Sequence, residues 1–542
     1  MLYFTLDLWY HYPMKKTDNF QTSNTEMVTI SRAEYEKLQA QSKRVSELES
    51  RVDLLMEALR LSRHKQFGAS SEKSEDTLVE QLSFLFNEAE VFAAVKDEED
   101  ATVVAAHKRH RKHEYTLDAI PEELPRERIE HRLEGEDLVC PQCGDTMTEI
   151  GTEVVNKLKI IPAQTIVEQH IYYSYACRKC NEEDIETPVV KAPHEKSVIP
   201  GSFATPEAIA HIMTQKFVMG SPLYRQEQEL NRQGIPLSRQ TMSNWILRAS
   251  EDYLTPVYER LHRGLLNRDV LHADETTLQV LHEPGKKPQS ESYMWLYRTG
   301  GDTCKPIVLY EYQPRRGSVH PKEFLSGFTG YLHTDGYAGY HNLPEDITVV
   351  GCWAHLRRKF DEAVKSLPKG RTKGSSASQG LAYCNLLFGI EQEIADQTAE
   401  ERYNQRLEQT KPVLDAMFAW VNSRAAAPKS ALGKAFTYLK EQWPYLTNYL
   451  KDGRLEISNN RAERSIKPFV IDRKNFLFAN TPKGATGSAV MFSLIQTAIE
   501  NGLDPYRYLT WLMKTAKDTD LSQENMIQAL LPWNAPKECK AK

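Results

Sequence analysis

The sequence feature that most tightly constrains the fold is a set of four cysteines in two CxxC pairs. The pairs are CPQC, with Cys140 and Cys143, and CRKC, with Cys177 and Cys180. Each pair can present two thiolates to one ion, and two such pairs complete a closed tetrahedral zinc site. The sequence therefore predicts one structural Zn²⁺ in a zinc ribbon over residues 136–190, with a long hairpin between the pairs. A redox dithiol is the alternative, although it needs only one of the two pairs.

The length of the chain indicates several domains around that ribbon. A chain of 542 residues exceeds what one hydrophobic core organises, so we expect a multidomain α+β protein. No apolar run approaches the roughly 20 residues that cross a bilayer, so no membrane partner is expected. Residues 1–30 form an unpatterned tail without the features of an export signal, which predicts a cytoplasmic protein. The formal net charge of −6 excludes a uniformly basic nucleic-acid binder, so any DNA-binding surface must be local.

A heptad pattern predicts a leucine-zipper-like coiled coil over residues 31–66. Apolar residues repeat every seven positions from Leu38 to Leu59, and a second seam runs through Leu48 and Leu55. This pattern favours pairing with another chain, so we expect a homodimer or higher oligomer. A helical hairpin within one chain has the same pattern and is the alternative. Residues 67–135 are strongly charged and predict a flexible linker.

Two helices joined by a tight turn are predicted within residues 200–260. The turn GIPLS separates LYRQEQELNRQ from RQTMSNWILRA, and Ser238 can cap the second helix. This spacing is typical of a helix-turn-helix, whose second helix enters the major groove of DNA. The residues expected to face the groove are Arg239, Gln240, Ser243 and Asn244, and those expected to face inward are Met242, Trp245 and Ile246. A plain helical hairpin would have the same pattern.

Residues 262–353 have the pattern of three strands, a helix and two further strands. This order is compatible with a ribonuclease-H-like α/β core, in which the first three strands are antiparallel and the fourth lies beside the first. Asp274 falls within the first strand and Asp335 at the end of the fourth, so the two acids would be neighbours. A carboxylate in a core strand is costly to bury unless it is paired or bound to a metal. A structural salt bridge is the alternative for each acid taken singly.

An all-helical insertion over residues 354–453 interrupts this core, which resumes at 454–500 and is followed by a C-terminal helical segment, 501–542. The resumed part begins with SNNRAERSIKP, which places Glu463 on a predicted helix. Three carboxylates, Asp274, Asp335 and Glu463, are what two Mg²⁺ or Mn²⁺ ions need as ligands. An exposed charged helix is the alternative for this stretch.

Local excesses of basic residues predict where a phosphate backbone would lie. Between Arg454 and Lys483 the sequence has seven Lys or Arg and three Asp or Glu. Between Arg357 and Lys373 it has seven Lys or Arg and two Asp or Glu. From this charge we infer phosphate contacts by the following residues: His355, Arg358, Arg461, Arg464 and Lys467.

Taken together and in order, the motifs resemble those of the insertion-sequence-66 family of transposases, of the acid-triad (DDE) class. The matching motifs are FGASSEKS, LPRERIEH, the two cysteine pairs, SRQTMSNW, HADET, TDGYAGY, GCWAHLRRKF and SNNRAERSIKP. One departure is Thr277 in HADETTLQV, where the family often has proline. By motif position, the resemblance assigns the catalytic triad to Asp274, Asp335 and Glu463.

The resemblance implies an enzyme that binds the terminal inverted repeats of its own mobile element, cleaves at the ends and joins them to target DNA. Its partners would be double-stranded DNA and accessory proteins of the same element. It would be associated with the nucleoid. Two alternatives stay open. One is a catalytically silent, zinc-containing DNA-binding protein derived from a transposase, and the other is a ribonuclease-H-like nuclease that cuts without joining.

Overall fold

A computed structural model describes residues 165–176, 189–368 and 370–541. The predicted coiled coil, the linker and the four cysteines of the zinc ribbon lie outside these residues. The chain divides into two compact units. Of the described residues, 165–176 and 189–195 belong to the smaller unit, and those from 196 onwards belong to the larger one.

The described part of the smaller unit contains two short antiparallel strands, β1 (Ser174–Ala176) and β2 (Val189–Lys191). The sequence pattern TIVEQHIYYSYAC predicts a longer strand, but residues 165–173 are not in a strand. The side chains of residues 165–170 are all exposed, so a strand there would bury nothing on either face.

Four helices open the described part of the larger unit. They are α1 (Pro206–Phe217), α2 (Leu223–Arg232), α3 (Arg239–Ala249) and α4 (Thr255–Leu266), with a π-helical turn at Ser250–Leu254. Ser238 caps α3, because its side chain accepts a hydrogen bond from the Thr241 N–H at 3.1 Å. The inner face of α3 is buried as expected, at Met242, Trp245 and Ile246. Its outer face exposes Arg239, Gln240 and Asn244, with Ser243 half-buried.

A five-stranded mixed sheet follows. Its strands are β3 (Val270–Gln279), β4 (Glu291–Thr299), β5 (Val308–Gln313), β6 (Gly330–His333) and β7 (Ile347–Val350), with α5 (Val319–Phe324) between β5 and β6. The spatial order is β5-β4-β3-β6-β7. The first three strands pair antiparallel, and β6 lies parallel to both β3 and β7. The fourth strand therefore lies beside the first, as its pattern predicts.

The last helices of the described chain are α11 (Asn460–Phe476), α12 (Pro482–Glu500), α13 (Pro505–Ala516) and α14 (Glu524–Ala529). Of these, α12 covers the edge strand β5, and α11 packs on β3 and β4. Ser493 and Thr497 of α12 accept hydrogen bonds from the backbone N–H groups of Tyr310 and Val308, at 2.7 and 3.0 Å. These bonds occupy strand donors that would otherwise be open to pairing with another chain.

Between β7 and α11 the chain forms helices with a hydrophobic core of their own. They are α6 (Trp353–Lys365), α7 (Ser376–Glu393), α8 (Ala399–Gln405), α9 (Lys411–Ser423) and α10 (Ala431–Leu446), with a π-helical turn at Arg406–Thr410 and a 3₁₀ turn at Thr447–Lys451. Their buried cluster includes Trp353, Phe360 and Leu439. We refer to these helices as the helical insertion.

The helical insertion leaves and rejoins the sheet at one place. The Gly351 N–H donates to the Tyr445 carbonyl at 3.0 Å, and the Trp353 indole N–H donates to the Leu446 carbonyl at 2.8 Å. These two hydrogen bonds hold the start of α6 against the end of α10. Among the residues that the structure describes, we find no helix that is both long and apolar enough to cross a membrane.

Candidate active site

Asp274 lies within β3, and Asp335 lies two residues beyond the end of the neighbouring parallel strand β6. His272 is directly opposite His333 in the register, and each aspartate follows its histidine by two residues. The Glu275 N–H donates to Asp274 Oδ1 at 2.8 Å, and the Tyr337 N–H donates to Asp335 Oδ1 at 2.9 Å. Both carboxylates are therefore oriented by backbone groups.

Burial disfavours the ionised form of both carboxylates, and repulsion by neighbouring acids adds to this effect at Asp274. Burial raises the pKa of Asp274 well above its usual range, and the negative charges of Glu275 and Asp335 raise it further. Burial also raises the pKa of Asp335, although the Tyr337 N–H and the Arg316 guanidinium act in the opposite direction. A pair of buried acids with such shifts is typical of a functional site, because a bound cation would relieve the repulsion.

Glu275, the second acid of HADET, is held in a network that the sequence analysis missed. It accepts a hydrogen bond from the Arg316 Nε at 2.9 Å and another from the Tyr340 hydroxyl at 2.6 Å. Burial and the charge of Asp335 raise the pKa of Glu275 to about 7. The Arg316 guanidinium also lies 3.8 Å from the Tyr337 ring centroid, so it braces the turn that carries Asp335. No spacing in the sequence links Arg316 to HADET.

Asn459 fastens the start of α11 to the strand that carries Asp274. Its side-chain amide donates to the Ala273 carbonyl at 2.8 Å, and its side-chain oxygen accepts from His272 Nδ1 at 3.0 Å. The ring of His272 in turn stacks on His333, with centroids 4.3 Å apart. The first asparagine of SNNRAER thus belongs to a buried joint between sheet and helix.

Glu463 lies one turn into α11, with only 2% of its surface exposed. His355 Nδ1 is 3.8 Å from Glu463 Oε1. Ligand atoms of Cys352, His355 and Glu463 all lie within 4.8 Å of one another, and neither aspartate belongs to that group. The structure thus brings Asp274 and Asp335 together and places Glu463 beside Cys352 and His355.

Tyr438 connects the helical insertion to this region and was also missed by the sequence analysis. A Cβ atom at Gly336 would lie 2.7 Å from the Tyr438 ring, so the glycine of TDGY leaves room for it. Burial raises the pKa of Tyr438 well above its usual range, and the charges of Asp335 and Glu463 add to that effect. Lys359 Nζ lies 4.9 Å from the ring centroid. Tyr438 is therefore a neutral phenol within the electrostatic reach of both acids.

The basic residues predicted as phosphate contacts differ in their surroundings. Arg461 forms an ion pair with Glu456, with Nε 2.7 Å from Oε1, whereas Arg464 is exposed and Arg358 and Lys467 are half-buried. Burial lowers the pKa of His355 to about 3, and the nearby charge of Arg358 lowers it further. His355 is consequently neutral at pH 7 and would not attract phosphate by charge.

Thr277, at the position where the family often has proline, accepts a hydrogen bond from Arg473 at 2.9 Å.

Comparison with protein-family models gives four matches along the chain. Residues 201–487 match the Transposase IS66 family. Residues 137–181 match the zinc-finger binding domain of transposase IS66, which includes both cysteine pairs. Residues 54–129 match Transposase C of IS166 homeodomain, and residues 493–533 match the IS66 C-terminal element.

Similar full-length proteins occur in Sinorhizobium fredii (strain NBRC 101917 / NGR234). The protein y4jD is 32% identical over 429 residues, covering 77% of this chain and 81% of the relative. The protein y4qI is 30% identical over 543 residues, covering 95% and 94%. Among solved structures, a Drosophila P element transposase strand transfer complex aligns with 59% of this chain and 93% of its own. It shows 13% identity and a TM-score of 0.31, too low to establish a shared fold.

Proposed function

The chain belongs to the IS66 family of transposases, and from that membership we propose that it cleaves the ends of its own mobile element and joins them to target DNA. The observation that supports the catalytic part is the position of Asp274 and Asp335, each two residues beyond a histidine of the pair His272 and His333, and close enough for the charge of Asp335 to raise the pKa of Asp274. The mixed sheet, with three antiparallel strands and the fourth beside the first, supports a ribonuclease-H-like core.

The residues present fit a pair of divalent cations. Asp274, Asp335 and Glu463 offer hard carboxylate oxygens, and burial raises the pKa of both aspartates, so a bound cation would stabilise their ionised forms. These three residues would hold two Mg²⁺ or Mn²⁺ ions. Ions bound there would activate a water or a 3′ hydroxyl and neutralise charge on the phosphate oxygens.

The surrounding residues would position the acids and the DNA. Arg316 and the Tyr337 N–H hold the Asp335 turn, and Asn459 holds α11 against β3. Arg464 is exposed one residue after Glu463 and is available to a phosphate. The exposed face of α3 would read the inverted repeats, with Arg239, Gln240 and Asn244 at the groove.

The decisive experiment measures cleavage and joining of labelled inverted-repeat ends with Mg²⁺ or Mn²⁺. We expect Asp274→Asn, Asp335→Asn and Glu463→Gln each to reduce both steps by about 100-fold or more, because each removes a metal ligand. Binding of the same ends, measured by gel shift, should change little.

Asp269→Asn is the matched control, since Asp269 lies beside the same strand but is exposed and paired with Arg454. It should cleave at the wild-type rate. Wild-type rates in all three triad variants would show that the acids are not catalytic. A wild type that binds ends but never cuts them would favour the silent DNA-binding protein instead.

A further inference from the structure

A thiol, an imidazole and a carboxylate converge where α6 and α11 begin. One ligand atom from each of Cys352, His355 and Glu463 lies within 4.8 Å of the other two. Cys352 is fully buried, and the side chains of His355 and Glu463 are 20% and 3% exposed. The group is thus shielded from solvent except on the side of His355.

The two helices fix this convergence through their backbones. Cys352 is the N-cap residue of α6, and His355 follows it within the first helical turn. The Asn459 N–H donates to Cys352 Sγ at 3.2 Å, which holds the start of α11 against the start of α6. Glu463 then projects from the first turn of α11. The group therefore depends on two helix starts and a hydrogen bond, rather than on a loop.

The chemistry of the group suits a different ion from the one proposed for the aspartates. Sulfur, nitrogen and oxygen ligands together favour Zn²⁺ and similar transition-metal ions, whereas Mg²⁺ prefers oxygen ligands alone. Zinc–ligand bonds of about 2.0 to 2.3 Å place tetrahedral ligand atoms roughly 3.3 to 3.8 Å apart. The His355–Glu463 pair is already at 3.8 Å. Small side-chain rotations would bring the widest separation, at most 4.8 Å, into that range.

We propose that Cys352, His355 and Glu463 form a binding site for Zn²⁺, with three protein ligands and one position open to water. Glu463 is also the third carboxylate of the proposed triad. Zinc bound here withdraws Glu463 from the two aspartates and so inhibits DNA cleavage. This inhibitory consequence rests on the proposed function, whereas the binding of zinc does not.

Binding is tested on the full-length, metal-free, reduced protein with Co²⁺ as a spectroscopic substitute for Zn²⁺. The readouts are the Co²⁺ stoichiometry and the thiolate-to-cobalt absorption. Wild type should bind one more Co²⁺ per chain than Cys352→Ser. Any Co²⁺ bound by the four-cysteine ribbon is the same in both proteins and so does not affect this difference. Cys384→Ser is the matched control, because Cys384 is a buried cysteine of α7 outside the group, and it should bind as wild type does.

His355→Gln provides an independent variant that keeps Cys352 and its hydrogen bond. It should lose the same one equivalent of Co²⁺. Equal stoichiometry in wild type, Cys352→Ser and His355→Gln would overturn the site.

Inhibition is tested by adding Zn²⁺ before Mg²⁺ in the end-cleavage assay. Zinc should lower the rate of end cleavage by the wild type about ten-fold or more. In Cys352→Ser, the cleavage rate with zinc should approach the rate without zinc. Equal inhibition of both proteins would overturn the overlap with the catalytic centre. If no metal condition gave cleavage, the proposed function would be contradicted. The Co²⁺ stoichiometry would still show whether Cys352, His355 and Glu463 bind a metal ion.

Discussion

Glu311 is a partly buried carboxyl group on β5, opposite Trp295 of β4. Burial raises its pKa to about 7, although the Gln313 side chain donates a hydrogen bond that acts in the opposite direction. Between the usual value of 4.5 and about 7, the folded protein binds a proton that the unfolded chain does not. The free energy of unfolding must therefore fall as pH rises through this window and level off above it.

Glu311→Gln should remove this pH dependence. The variant is expected to be more stable than wild type above about pH 7, by about 3 kcal/mol, and to match it below about pH 4.5. Urea unfolding followed by tryptophan fluorescence across this pH range measures the difference. Glu345→Gln, at an exposed position, is the control and should follow the wild-type curve. Parallel curves for wild type and Glu311→Gln would contradict the expectation.

The residues of the site were only partly predictable. The proximity of Asp274 and Asp335 is predictable, because a charge within an apolar strand pattern is unusual and the fourth strand is expected beside the first. The proximity of Cys352 and His355 to Glu463 is not, because about a hundred residues separate them along the chain. The CxxH spacing at the start of a predicted helix was the available signal, and its His355 was instead interpreted as a phosphate contact.

At the scale of elements, a buried arginine ties the helical insertion to the segment that leads into α11. Arg406 is fully buried and forms a two-point ion pair with Glu391, at 2.8 and 2.7 Å. It also donates to the carbonyls of Tyr449, Asp452 and Leu455, at 3.0, 3.0 and 2.7 Å. The position of α11, and with it Glu463, thus depends on the helical insertion.

Arg406→Met should loosen that segment, because it leaves Glu391 with only the more distant Arg402, at 3.5 Å, and removes donors from three carbonyls. We expect a loss of about 3 kcal/mol in stability, faster amide exchange around residues 449–463 and weaker end cleavage. Hydrogen–deuterium exchange measures the local effect. Lys411→Met, which breaks an exposed ion pair with Asp415, is the control and should cost under about 1 kcal/mol. Wild-type exchange in the Arg406 variant would show that the anchor is dispensable.

Strand pairing was more predictable than element length. The sequence predicts three strands, a helix and two further strands, and compatibility with a ribonuclease-H-like core predicts the fourth strand beside the first; the structure shows both. The fourth strand, predicted to end at Asp335, ends at His333, because the chain then turns and forms a 3₁₀ helix at Ala338–Asn342. Sequence alternation does not reveal such turns, since apolar and aromatic residues continue through them.

At the scale of the whole molecule, the heptad segment at residues 31–66 predicts how many chains act together. Deletion of this segment should shift the protein towards monomer, as measured by sedimentation velocity over a range of concentrations. Val52→Asp places a charge in the predicted seam and should have the same effect. Ser50→Asp, on the opposite side of the heptad, is the control. An unchanged oligomer in the deletion variant would contradict the coiled-coil prediction.

The route of the chain through the helical insertion has a consequence for the timing of synthesis. Glu463 follows Asp335 by about 130 residues, and α11 is held in place by contacts from the insertion. At roughly 5 to 20 residues per second, a ribosome needs on the order of ten seconds to add this stretch. During that interval the growing chain already has helices α2 and α3 and both aspartates but lacks Glu463. On the proposed function, a nascent chain would therefore be able to hold DNA before it is able to cut it.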